Sequence, residues 1–117
     1  MAFELSRKGY CIAATGEMGI GNTATSSAVA SVLLDRPAEE MTGRGAGLDD
    51  QRLRCKIQVI TQAVNLHQPD RKDPLDVLSK VGGFDLAALT GFFLGGAAVR
   101  LPIVIDGLFP GQRLWRQ

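Results

Sequence analysis

The sequence predicts an α/β protein, a layered fold in which parallel strands are flanked by helices. Three observations predict it. Residues 10–34 run from a short apolar segment, through Thr15-Gly16-Glu17-Met18-Gly19-Ile20-Gly21-Asn22-Thr23, into an Ala/Ser/Val-rich stretch, which is the order strand, glycine loop, helix. Residues 101–105 are apolar throughout and rich in β-branched side chains, as parallel strands covered on both faces are. Between these segments the chain reads as helices, and strands separated by helices specify an α/β layering. Two strands are fewer than a doubly wound sheet holds, so the expectation is an incomplete part of a larger fold.

The elements follow in order. Residues 3–8 form a short helical lead-in, and 10–14 a buried strand. Thr23 is the expected N-cap of a helix over 24–34. Arg36-Pro37 breaks that helix, and Pro37 starts a short helical turn through Met41. Residues 42–47 are loop, and Asp49 caps a long helix to about Leu66. Residues 68–73, the most polar stretch, are a surface connection. Pro74 opens another helix at its first position, and Gly82-Gly83 stops it. Asp85 starts an apolar helix that runs to Arg100 and leads into the strand at 101–105.

Composition narrows the function classes. At 117 residues the chain is one domain, long enough for a core. A net charge of +1, from 13 basic and 12 acidic residues without a basic patch interleaved with aromatics, argues against nucleic acid. The apolar uncharged stretch 86–99 is too short to span a bilayer and reads as a buried helix. Met1-Ala2-Phe3-Glu4-Leu5 lacks an apolar signal core, so no secretory leader is expected. Cys11 and Cys55 are read as free buried thiols of a reducing cytoplasm rather than a disulfide or metal pair. His67 is alone, so no zinc site is expected. Gly91, Gly95 and Gly96 lower helix propensity; close packing against another backbone compensates, or else a ligand approaches there.

The glycine loop is the main candidate site. Its spacing, G-x-x-G-x-G, is neither the dinucleotide fingerprint nor a P-loop. As a pattern it fits a ligand loop and a tight structural turn equally. A strand–loop–helix junction is a natural anion site, because glycines admit close approach and the first N–H groups of the helix point outward. Glu17 inside the loop suggests that the ligand is also cationic or hydroxylated.

Lys56 is the second candidate. In the helix from Asp49, Leu53, Ile57, Ile60 and Val64 form an apolar stripe, widened on one side by Val59, Ala63 and Leu66. Lys56 falls near the middle of the widened arc. Either its stem runs past apolar neighbours to solvent, or its ammonium points into a cleft and pairs with Glu17 or an anionic substrate. Arg44 has two readings as well: a fork onto phosphate or carboxylate, or a solvated loop charge. Asp49 and Asp50 complement the helix dipole, and Asp106 is either a ligand group at a strand end or part of a turn with Gly107.

Residue by residue, Glu17-Met18-Gly19-Ile20-Gly21-Asn22-Thr23 resembles the signature of the nicotinate-nucleotide:dimethylbenzimidazole phosphoribosyltransferase family. Gly43-Arg44-Gly45-Ala46-Gly47-Leu48-Asp49-Asp50 resembles its second glycine-rich loop, with Lys56 on the helix that follows. Residues 85–107, with Leu86-Ala87-Ala88-Leu89 and Pro102-Ile103-Val104-Ile105-Asp106-Gly107, resemble its later helix–strand unit. The three matches stand in the family's order and span roughly Leu5 to Gly107.

The resemblance implies a Rossmann-like α/β fold, with residues 1–107 a central segment of the family domain and 108–117 a divergent tail. It implies transfer of a 5-phosphoribosyl group from nicotinate mononucleotide to 5,6-dimethylbenzimidazole, giving α-ribazole 5′-phosphate and nicotinate for the lower ligand of cobalamin. A pyridinium is a good leaving group, so no metal and no cofactor are implied. Glu17 and Lys56 match functionally important positions. Gly16, Gly19, Gly21, Asn22, Thr23 and Arg44 are the implied substrate contacts. The family is dimeric, so a homodimer in the cytoplasm is expected.

The chain also departs from the pattern. The family's general-base glutamate lies beyond the last matched strand and is not in this sequence, so the chain by itself is expected to be inactive. Ala24 and Ala46 stand where threonine is usual, and Pro110 and Gly111 oppose the helix that the family would place there. Two further readings stay open: a non-enzymatic module that binds a mononucleotide or phosphate, and a remnant that associates with a partner.

Overall fold

A computed structural model of the protein describes residues 1–16, 21–45 and 47–105. In chain order the elements are α1 (Ala2–Arg7), β1 (Ala13–Thr15), α2 (Asn22–Leu34), α3 (Ala38–Met41), α4 (Asp50–His67), α5 (Pro74–Val81), α6 (Phe84–Ala98) and β2 (Ile103–Ile105). They fall into two compact units. One holds α1, β1, α6 and β2; the other holds α2 to α5. The α/β class read from the sequence is the class observed.

In the first unit β1 and β2 pair in parallel, with Ala13 opposite Ile103, Ala14 opposite Val104 and Thr15 opposite Ile105. Parallel neighbours need a long crossover, and here the crossover contains α2 to α5 of the second unit and then α6. Helix α6 ends in a Schellman-type turn: Arg100 takes a left-handed φ of 56°, and the Leu101 N–H donates to the Gly96 carbonyl at 2.9 Å. That turn aims the chain into β2.

Both strands are shorter than the sequence suggests. Gly9, at φ 82°, continues the end of α1, and the Tyr10 N–H donates to the Leu5 carbonyl, so residues 10–12 do not join the ladder. At the other strand Leu101 terminates α6 and Pro102 has no N–H to give. The expected burial is corrected with the lengths. Ile103 is half-buried, but Val104 and Ile105 are exposed, as are Tyr10 and Ile12. A parallel pair covered on both faces was expected; in the described residues the covering is partial. Cys11 and Cys55 are free but exposed, not buried, because Cys11 precedes β1 and Cys55 lies on the outer face of α4.

The glycines of α6 are used differently from one another. A Cβ on Gly95 would lie 3.2 Å from the Ala2 Cβ of α1, and one on Gly96 would lie 2.4 Å from the Ile103 Cδ1 of β2. The close approach is therefore mainly to side chains of α1 and β2, with the Leu101 carbonyl oxygen 3.2 Å from the same point at Gly96.

The second unit holds the larger core. Ala28, Ala38, Ile60, Val77 and Val81 are buried together, flanked by Ala24, Val29, Val32, Leu33, Ile57 and Val64. Helix α2 packs on α3, α4 and α5, and its small buried residues Ser26, Ser27 and Ala28 allow close approach. The Ser27 hydroxyl returns a hydrogen bond to the Thr23 carbonyl at 2.7 Å, so its burial is satisfied. Helix α4 is capped by Asp49, which accepts from the Arg52 N–H at 2.7 Å. Helix α5 is capped by Asp73 with Pro74 at its first position. Among the described residues no helix is long and apolar enough to cross a membrane.

Candidate functional site

The site begins where α2 begins. Its N-cap is Gly21, at φ 90° and ψ −13°, rather than the expected Thr23. The Gly21 carbonyl accepts from the Ala24 N–H at 2.8 Å, so the helix starts two residues earlier than a Thr23 cap requires. Gly21 reaches this left-handed conformation at little cost and brings no side chain to the first turn. Thr23 thus becomes the second residue of the helix, and its hydroxyl is released from capping.

That hydroxyl is taken by Lys56. The Lys56 Nζ donates to Thr23 Oγ1 at 2.9 Å and to the Gly43 carbonyl oxygen at 3.3 Å. Three segments of the second unit meet in this arrangement: the head of α2, the glycine loop before α4, and the second turn of α4. The packing of α2 on α4 makes it possible, since Thr23 and Lys56 are 33 residues apart. Gly45 closes the cluster. It has a φ of 56°, and a Cβ there would stand 3.4 Å from Thr23 Oγ1 and 3.9 Å from Lys56 Nζ.

Lys56 is half-buried, and desolvation lowers its pKa below the ordinary lysine value. Its place on α4 differs from the sequence reading in one respect. Val59 and Leu66 are exposed, so the buried arc is narrower than expected and runs through Leu53, Ile57, Ile60, Ala63 and Val64. Lys56 lies at the edge of this arc, not its middle. An edge position lets the stem pack while the ammonium reaches acceptors on the neighbouring segments.

Arg44 turns back onto its own loop. Its guanidinium pairs with Asp50 and donates to the Leu48 carbonyl at 2.9 Å, so it braces the entry to α4. Asn22 accepts at its own Oδ1 from the Ser26 hydroxyl at 3.3 Å. Gly16 lies in the first unit, directly after β1, and is exposed. Glu17 and Gly19 lie outside the described residues, as do Ala46 and Asp106. The partner that an inward lysine required is therefore, among the described residues, the Thr23 hydroxyl with the Gly43 carbonyl. Sequence reasoning did not single out Gly43 and Gly45 as neighbours of the ammonium. The clustered glycines of 43–47 were the available signal, since a left-handed residue so close to an ammonium and a hydroxyl favours glycine.

The fold and this cluster define an α/β protein with a helix head, a glycine loop and a desolvated ammonium brought to one place, an arrangement suited to an anionic ligand. Comparison with known proteins gives the family. A phosphoribosyltransferase family model matches residues 1–112. The chain is 61% identical over 104 residues to the nicotinate-nucleotide–dimethylbenzimidazole phosphoribosyltransferase of Acetivibrio thermocellus, which covers 89% of this chain and 30% of the relative. It is 59% identical over 104 residues to the enzyme of the same name from Clostridium acetobutylicum, with 89% and 30% covered. It is 54% identical over 110 residues to that of Roseiflexus castenholzii, with 94% and 31% covered. The chain belongs to this phosphoribosyltransferase family. It spans about 30% of the length of these curated relatives.

Proposed function

We propose that this chain carries the donor half of a phosphoribosyl-transfer site and takes nicotinate mononucleotide as its ligand. The observation that supports it most is the Lys56 ammonium held at the head of α2 beside the left-handed Gly45. The relatives' names supply the substrates. In this reading the backbone of Gly16, Gly19, Gly21 and Asn22 approaches the donor's phosphate or ribose, with Thr23 and Arg44 at its margin. Glu17 contacts ribose hydroxyls or supports the developing cation, and Lys56 orients Glu17 or the donor's carboxylate.

The chemistry asked of these residues is positioning. The bond from the anomeric carbon to the pyridine nitrogen breaks, and its electron pair leaves with nicotinate. A benzimidazole nitrogen forms the new bond from the opposite face, and the ring loses a proton to a base. Holding the donor so that this displacement is in line contributes through orientation, and a fixed cation near the anionic groups contributes electrostatically. The complete reaction with 5,6-dimethylbenzimidazole, in a cytoplasmic homodimer, belongs to the same proposal.

Calorimetric titration of nicotinate mononucleotide into the folded chain tests the reading, with Lys56→Ala beside it. Saturable binding that the substitution weakens is expected. No binding to a folded chain overturns the proposal. Binding without turnover when dimethylbenzimidazole is added fits both the donor half proposed here and a mononucleotide-binding module.

A further inference from the structure

We propose that Lys56 is a positioning residue that acts on the bound anion through the Thr23 hydroxyl. The ligand in this proposal rests on the donor-site reading above; the link between the two side chains does not. A flexible four-carbon stem needs fixed acceptors to hold its ammonium in one place. Here they are Thr23 Oγ1 at 2.9 Å and the Gly43 carbonyl at 3.3 Å. The start of α2 at Asn22, with Gly21 as N-cap, puts Thr23 one position inside the helix and leaves its hydroxyl for Lys56.

The direction of the bond matters. An ammonium has only protons to give, so the hydroxyl accepts with a lone pair and keeps its own proton. A hydroxyl polarised in this way is a stronger donor than an isolated one. Thr23 therefore passes part of the positive character of Lys56 to whatever anion lies at the head of α2. Gly45 lies beside the pair; a Cβ there would make ordinary contact with both groups, so glycine is favoured by the left-handed φ of 56° rather than by space.

Two measurements test this. The first needs no ligand: the chain is labelled at lysine Cε, and the midpoint of Lys56 is followed by NMR in wild type, Thr23→Val and Thr23→Ser. Its signal is assigned among four lysines with Lys56→Arg. Loss of the acceptor removes a stabiliser of the ammonium, so Thr23→Val moves the midpoint further down and Thr23→Ser restores it. An unmoved midpoint in Thr23→Val overturns the link.

The second is calorimetry with nicotinate mononucleotide. Thr23→Val and Lys56→Met each weaken binding about tenfold, and the double variant weakens it no further. Effects that multiply in the double variant mean independent action and overturn the proposal. A wild-type chain that does not bind overturns the donor-site reading, while the Lys56 midpoint still decides the link.

Discussion

Gly96→Ala gives a sharp test of how the first unit is packed. The added methyl would stand 2.4 Å from Ile103 Cδ1, 3.1 Å from Ile103 Cγ1 and 3.2 Å from the Leu101 carbonyl oxygen. The Cδ1 atom can rotate away. The Leu101 oxygen has little freedom, because the Leu101 N–H is bonded to the Gly96 carbonyl at 2.9 Å and β2 begins two residues on. Overpacking of this kind costs about 1–3 kcal/mol. Alanine regains about 1 kcal/mol of helix propensity over glycine, so the net loss expected is about 1 kcal/mol.

Gly91, on the same helix, is the internal control. A Cβ there meets no described atom within 4 Å, so Gly91→Ala should gain the propensity alone, about 1 kcal/mol. Propensity cancels between the two variants, and their difference reads the strain, about 1–3 kcal/mol. Urea unfolding followed by circular dichroism measures it, with hydrogen exchange at the Leu101 amide reporting on α6 and β2 directly. Ile103→Val removes the nearest atom, and in the Gly96→Ala background it should recover part of the loss. Equal stability of the two alanine variants, or no recovery with Ile103→Val, would refute the packing described for α6 on β2.

Three further outcomes are expected. Asp49→Ala removes the oxygen that accepts from the Arg52 N–H and should cost about 1 kcal/mol in urea unfolding; no change means that α4 does not depend on its cap. Gln68 ends α4 at a φ of 42°, so Gln68→Gly should raise stability by about 0.5–1 kcal/mol, and a loss would contradict a left-handed cap. Asp76 has its pKa lowered from 3.8, first by the Lys80 hydrogen bond and then by the Asp70 N–H. A depressed carboxyl stabilises above its unfolded value and loses that contribution as pH falls through the folded one. The stability difference between wild type and Asp76→Asn should therefore be full at pH 6 and shrink below 3.8. A difference independent of pH would show that the carboxylate charge is not involved.

The kinds and order of the elements were legible in the sequence, because their signals are local. Asp49 and Pro74 mark helix starts, Gly82 a stop, and the spacing of Leu53, Ile57, Ile60 and Val64 a helix face; each depends on residues within a turn or two. Family membership was legible for the same reason, since a motif is a string. Burial and partner choice were not, because they depend on which surfaces meet. The sequence put Cys11 in a buried strand and Val59 on an inner face, and both are exposed. It offered Thr23 as a cap, yet Gly21 caps α2 and Thr23 accepts from an ammonium 33 residues away. It left Arg44 between ligand and solvent, and its guanidinium turns to Asp50. The sequence determined which helices form and that one inward-facing stripe carries a lysine. Only the packing of α2 on α4 decided which acceptor that lysine finds, because a hydrogen bond needs two groups within about 3 Å, and chain-local rules cannot place distant segments that closely.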